Sequence, residues 1–204
     1  MLASASACHR PSLASLYEES ESLYRNDRPV SRELAEEGSS QARRQHSDEC
    51  TWKFRLLLAS VQIHQNDAKG ALQTLDTATA PPSAHLRAER ASLIGYSHGL
   101  LSNYPEAESN LREALRTAEP LGDAKLLDQI NLNYGDVLTF RDEFDRAEVK
   151  LRQVIENARR RGDPNLEGRA MLSLGYADHR DLRNEEAAEW LKQAQAVLAR
   201  TSNR

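Results

Sequence analysis

The residues of this 204-residue chain that could do chemistry are six histidines, two cysteines and a few charged runs. The histidines are His9, His46, His64, His85, His98 and His179, and no two stand one helical turn apart, as a helical zinc site requires. Cys50 and His64 fall in one expected helix, 14 residues apart. That spacing is about 21 Å of axial rise, so they form no thiol–imidazole dyad. Cys50 reads instead as a small buried hydrophobe. The chain has nine glycines and no glycine-rich phosphate loop, nucleophile elbow or zinc-protease motif. Arg43-Arg44 and Arg159-Arg160-Arg161 close expected helices, where positive charge complements the helix dipole. Asp178-His179-Arg180-Asp181 reads as a polar helix end. The sequence therefore offers no catalytic residue, no metal site and no cofactor, and the chain reads as a non-enzyme.

Cys8 carries a different reading. Leu2-Ala3-Ser4-Ala5-Ser6-Ala7-Cys8 is similar to the end of a bacterial lipoprotein signal, with small residues before a cysteine. The positive n-region and apolar h-region of a signal peptide are missing. Either the likeness is coincidence, or the recorded start lies downstream of the genuine one. In the second case Cys8 would be lipidated and the protein would be a membrane-tethered bacterial lipoprotein; a genuine start implies a cytoplasmic protein. Two cysteines exclude a disulfide framework. The net charge of −4 and pI near 5.9 argue against a general nucleic-acid partner, and no apolar run is long enough to span a membrane.

The elements that position these side chains repeat. Hydrophobic residues make up 39% of the chain and aromatics 5%. Ala and Leu supply most of the apolar content, which suits helix-on-helix contacts better than a sheet. Gly95, Gly135 and Gly175 are 40 residues apart, and so are Ala107, Ala147 and Ala187. Ala59 and Ala71 mark an earlier copy 36 residues upstream of Gly95 and Ala107. A weaker hairpin is expected over 11–26 and 29–46, with no small residue marking its expected position. Breaks recur at His46-Ser47-Asp48, Leu121-Gly122-Asp123 and Arg161-Gly162-Asp163. There a glycine can end one helix and the following Asp can cap the next. Apolar stripes such as Leu127, Ile130, Tyr134 and Leu138 keep helical spacing. The remaining helices are expected over 48–66, 69–79, 84–102, 105–119, 124–141, 144–161, 164–182 and 185–200. A flexible segment 1–10 precedes the array of 11–200, and a tail 201–204 follows it.

This pattern resembles the tetratricopeptide repeat family in an extended variant of about 40 residues, against the usual repeat of about 34. Gly95, Gly135 and Gly175, with Ala59 substituting, match the small residue of the first helix. Ala71, Ala107, Ala147 and Ala187 match the alanine that opens the second helix. Leu75, Leu111, Leu151 and Leu191 match its large apolar position, and Ala78, Ala114 and Ala194, with Val154 substituting, the small residue one turn later. The early aromatic of the first helix and the closing proline are mostly absent. The resemblance implies an all-α, right-handed superhelix of about five hairpins whose first helices line a concave, partner-binding face.

Transferring the family's inner positions gives Lys53, Leu56 and Ser60, then Glu89, Ser92, Tyr96 and Gly99. The fourth hairpin adds Gln129, Leu132, Asp136 and Thr139; the fifth adds Arg169, Leu172, Tyr176 and His179. Lys53, Glu89, Tyr96, Gln129, Asp136, Arg169, Tyr176 and His179 are the candidate groove residues. The carboxylate clamp used by some arrays is absent, because Leu, Ser, Tyr and Asp hold its positions. The expected role is a scaffold or adaptor for a protein or peptide. A regulatory sensor segment of a larger protein, ahead of a CHAT peptidase or a transcription-regulator module, is one alternative. The last helix carries Trp190, Leu191, Val197 and Leu198, and self-association through it is another alternative.

Overall fold

A computed structural model describes residues 12–24 and 27–200; Cys8 and the tail 201–204 lie outside the described residues. Ten α-helices follow one another there, with no strand among the described residues. They are α1 Leu13–Leu23, α2 Arg28–Arg44, α3 Asp48–His64, α4 Ala68–Leu75, α5 Ala84–Leu100, α6 Tyr104–Ala118, α7 Ala124–Phe140, α8 Phe144–Arg161, α9 Pro164–Arg180 and α10 Asn184–Ala199. A short 3-10 turn, Glu119–Leu121, extends α6. Consecutive helices pack as pairs, and the first helices α1, α3, α5, α7 and α9 also touch one another in succession.

The recurring small residues explain the spacing of the pairs. A Cβ added to Gly135 would lie 2.7 Å from Leu151 Cγ, and one on Gly95 would meet Leu111 Cγ at 2.8 Å and the Ala107 carbonyl oxygen at 2.9 Å. Gly175 is roomier, with Leu191 Cγ at 3.2 Å. In all three hairpins the leucine of the second helix occupies the space that a side chain on the first would need. Ala107 and Ala147 are fully buried beside them.

The first hairpin has its small residues after all. Ser20 and Ser31 are both fully buried, and each hydroxyl donates to the other residue's carbonyl at 2.7 Å. Ser31 and Ala35 stand 40 residues before Ala71 and Leu75. Polar serines disguise the position in the sequence, because their hydroxyls are satisfied by each other's backbone. Below them Gly38 lets the Phe54 ring of α3 come in close.

The turn inside each of the later hairpins has a single geometry. Asn66, Ser102, Asp142 and Leu182 all adopt φ between 61° and 64°. The next amide donates back to the carbonyl five residues earlier, as in Glu143 N to Leu138 O at 2.9 Å and Arg183 N to Asp178 O at 2.8 Å, a Schellman closure. These positions repeat with the same period of 36 and then 40 residues, yet no residue type marks them. Between hairpins, Gly122 and Gly162 take the left-handed conformation, and Asp123 and Asp163 cap α7 and α9. At the third break His46 takes that conformation and Ser47, not Asp48, is the cap.

One matched position departs from the repeat. The helix expected over 69–79 ends at Leu75, so Ala78 is non-helical and exposed. Asp76 and Thr77 leave the helix, and the Arg90 guanidinium of α5 donates to the freed Leu75 carbonyl at 3.0 Å.

The apolar face of α10 is largely covered by its own partner. Val197 and Ala194 are buried, Leu198 fills the space over Gly168 of α9, and the Arg152 guanidinium lies 5.1 Å from the Trp190 ring. Leu191, 45% exposed, is the large apolar side chain of this helix left at the surface. No described helix is long and apolar enough to cross a membrane.

Candidate functional site

Because the first helices neighbour one another, the side chains they do not bury in their own hairpins converge. A cleft of about 410 Å³ is lined from all five of them. Tyr17 and Glu21 enter from α1, Ser60 and His64 from α3, Glu89 and Tyr96 from α5, Gln129 and Asp136 from α7, and Arg169 and Ser173 from α9. A second cavity shares Glu21, Gln129 and Arg169 with it and runs toward the start of α9, so these three side chains stand where the two meet.

Five of the eight candidate residues thus come together: Glu89, Tyr96, Gln129, Asp136 and Arg169. Lys53 does not line the cleft; its ammonium lies 3.7 Å from Glu49 on its own helix. Tyr176 is 48% exposed and outside the cleft. His179 accompanies it there, with Nδ1 3.0 Å from the Asn184 side-chain oxygen at the turn into α10. Among the other transferred positions, Ser60, Ser92, Leu132 and Leu172 line the cleft, whereas Leu56 and Thr139 are core residues. Gly99 is packed against Val137. These three lie on the side of their helix that meets a neighbour.

The sequence reading missed the contribution of α1. Tyr17, Glu21 and Tyr24 are spaced by four and three residues, which puts them on one helical stripe, and all three line the cleft. The Tyr24 hydroxyl lies 2.6 Å from His64 Nδ1, which is also 2.9 Å from the Ser60 carbonyl oxygen.

Burial dominates the electrostatics. It pushes the Glu89 carboxyl up to about 7, with the Glu21 charge adding and the Lys53 charge opposing. It pushes Asp136 up to about 6, against the pull of the Ser173 hydroxyl, the Arg169 guanidinium and the Tyr96 hydroxyl. The Tyr17 and Tyr96 phenols are likewise raised by burial and by neighbouring carboxylates. Removing carboxylates from water favours their neutral form unless a cation or donor compensates. The cleft therefore offers hydrogen-bonding carboxyls, phenols and a guanidinium in a partly dry setting. No group of three or more His, Cys, Asp or Glu side chains converges as a metal site among the described residues.

Comparison with protein-family models gives no match to this chain, and comparison with curated proteins gives none either.

Proposed function

We propose that this chain is a tetratricopeptide-like array, wound as a right-handed superhelix, that holds an extended segment of another protein in the cleft between its first helices. The observation that carries the reading is that all five first helices, spread over the whole described chain, send side chains into a single cleft. The composition of the lining supports it too. Tyrosines supply contact area with a hydroxyl handle, and Gln129, Asn133 and Ser92 offer the donors and acceptors that an extended backbone needs. The volume is that of a pocket able to enclose one or two side chains of such a segment.

Selection of binders from a random linear-peptide library on the immobilised chain tests this. Gln129 stands where the two cavities meet, so Gln129→Trp should plug the cleft and weaken the selected peptides by about tenfold or more, with helical circular dichroism unchanged. Peptides that bind the plugged variant as tightly as the wild type, or a library that yields none, would overturn the reading.

A further inference from the structure

Because the hairpins repeat, each one is a control for the next. Leu151 lies over Gly135 as Leu191 lies over Gly175, yet Leu151 is fully buried and Leu191 is exposed. Leu132 of α7 is buried, and its counterpart Leu172 of α9 is exposed. The difference is α9, which packs on α7 and α8. Among the described residues no helix follows α10 to do the same for α9 and α10.

The polar groups on this surface change in one direction. In the hairpin before, charge holds the next hairpin in place. Asp142 accepts from Arg180 at 2.6 Å, Glu148 accepts from Arg183 at 3.1 Å, and Arg159 donates to Glu167 at 2.9 Å. Forty residues on, these positions are Leu182, Ala188 and Ala199, all exposed. Asp136, which acts with Ser173 and Arg169 of α9, is replaced there by the exposed Tyr176. Leu182 is 82% exposed in a left-handed conformation that suits Asp better than Leu. An end of a repeat array that faces water should be more polar than the junctions inside it. This face is less polar. At the other end α1 obeys the rule, with Ser15, Glu18, Glu19 and Ser22 exposed.

We infer that the outer face of α9–α10 docks a second copy of this chain, packed α9–α10 against α9–α10 about a two-fold axis. The contact continues the interface that α9 makes with α7–α8, with the charged ties taken out. Their loss fits a symmetric contact, where the same patch on both copies must complement itself. Carboxylates in the places of Asp142 and Glu148 would meet their own copies and repel, whereas Leu182, Ala188 and Leu191 pack against theirs. A head-to-tail contact would instead seat this apolar face on the polar, acidic side of α1. The docking does not depend on what the cleft holds.

Sedimentation of the whole chain from about 1 mM down to about 1 μM reads the association. The wild type is expected to be a dimer at the upper end of that range. Leu182→Asp combined with Ala188→Glu restores the interior carboxylates at two exposed sites. It should weaken the dimer by about a hundredfold, with helical circular dichroism unchanged. Tyr176→Glu, at an exposed site of α9, should act in the same direction. Ser22→Asp on the exposed side of α1 should leave the dimer intact. A chain that is monomeric throughout would overturn the inference, whether the face stays bare or takes a helix of another protein. So would a dimer that neither α9–α10 variant weakens. Species that grow beyond the dimer with concentration and are lost in Ser22→Asp would mark a head-to-tail contact and overturn it as well.

Discussion

Carboxylates at the junctions between hairpins and carboxylates in the cleft are chemically alike and are treated in opposite ways. Glu108 of α6 accepts from the Tyr134 hydroxyl at 3.0 Å, from Arg112 at 2.7 Å and from Arg141 at 2.9 Å. Burial opposes its ionisation, but these donors win and hold it down at about 2. Glu148, 40 residues later, meets Arg152 at 2.6 Å and Arg183 at 3.1 Å and is also lowered, chiefly by Arg152. Both glutamates follow a repeat alanine, so the ion-pair cluster occurs twice and ties α6 and α8 each to the hairpin after it. In the cleft, Glu89 and Asp136 are raised instead. Charge that is fully paired serves the fold. Charge that loses part of its hydration in the half-buried cleft, with no ion pair among the described residues to compensate, costs stability.

The most damaging test of the contrast acts on the frame that both regions share. Gly135→Leu would drive a side chain into Leu151, whose Cγ is already 2.7 Å from an added Cβ. Overpacking of this kind should cost about 3 kcal/mol or more, read by urea denaturation, and should part α7 from α8. The same change would disturb the Tyr134–Glu108 bond and the position of Asp136 together. A variant that melts like the wild type would mean that the recurring glycines do not set the hairpin spacing.

Glu108→Gln addresses the junction alone. Its pKa is depressed in the folded state, so the stability it contributes is fully present above the ordinary value of 4.5 and is lost as pH falls toward 2. The side chain is 21% exposed, and solvent screening limits the effect to about 1 kcal/mol at neutral pH. The variant should be less stable than the wild type at pH 7 and indistinguishable from it near pH 2. An equal loss at both pH values would assign the effect to packing rather than charge.

How far this organisation could be read in advance depended on whether a residue's type, or only its environment, determined its role. Gly95 and Gly135 announce themselves because a Cβ there would clash, Gly175 keeps their spacing with slightly more room, and the starts of α7 and α9 follow from the capping Asp123 and Asp163. Ser20 and Ser31 do the same spatial work unannounced, since a serine is as common on a surface as in a buried pair. The turns at Ser102, Asp142 and Leu182 share a backbone geometry that no residue type signals. Arg159 and Arg161 read as dipole-complementing charge at the end of α8. In the structure Arg159 pairs with the buried Glu167 at 2.9 Å and Arg161 with the buried Asp128 at 2.6 Å, partners 8 and 33 residues away in the chain. Asp178 likewise reads as helix-end polarity and is buried against Arg183 at 2.6 Å. In the cleft, positions counted from the glycines located eight residues of α5, α7 and α9, among them Glu89, Gln129 and Arg169. Tyr17, Glu21 and Tyr24 escaped because α1 has no glycine from which to count.

The smallest expected effect has the opposite sign. Glu89 has a folded-state pKa of about 7 against an ordinary 4.5, so its protonated form is the one the fold prefers. Its contribution is favourable below about pH 4.5 and is lost as pH rises through 7. Glu89→Gln keeps the shape and removes the charge. It should therefore stabilise the chain at pH 8, by about 1 kcal/mol or less once the opening of the cleft to solvent is allowed for, and leave it unchanged near pH 4. Thermal melts at the two pH values decide the matter. A variant less stable than the wild type at pH 8 would mean that Glu89 is paired within the fold, as Glu108 is, and the distinction between the two regions would collapse. A gain in stability would instead show that the protein holds a charge there that its own packing does not want.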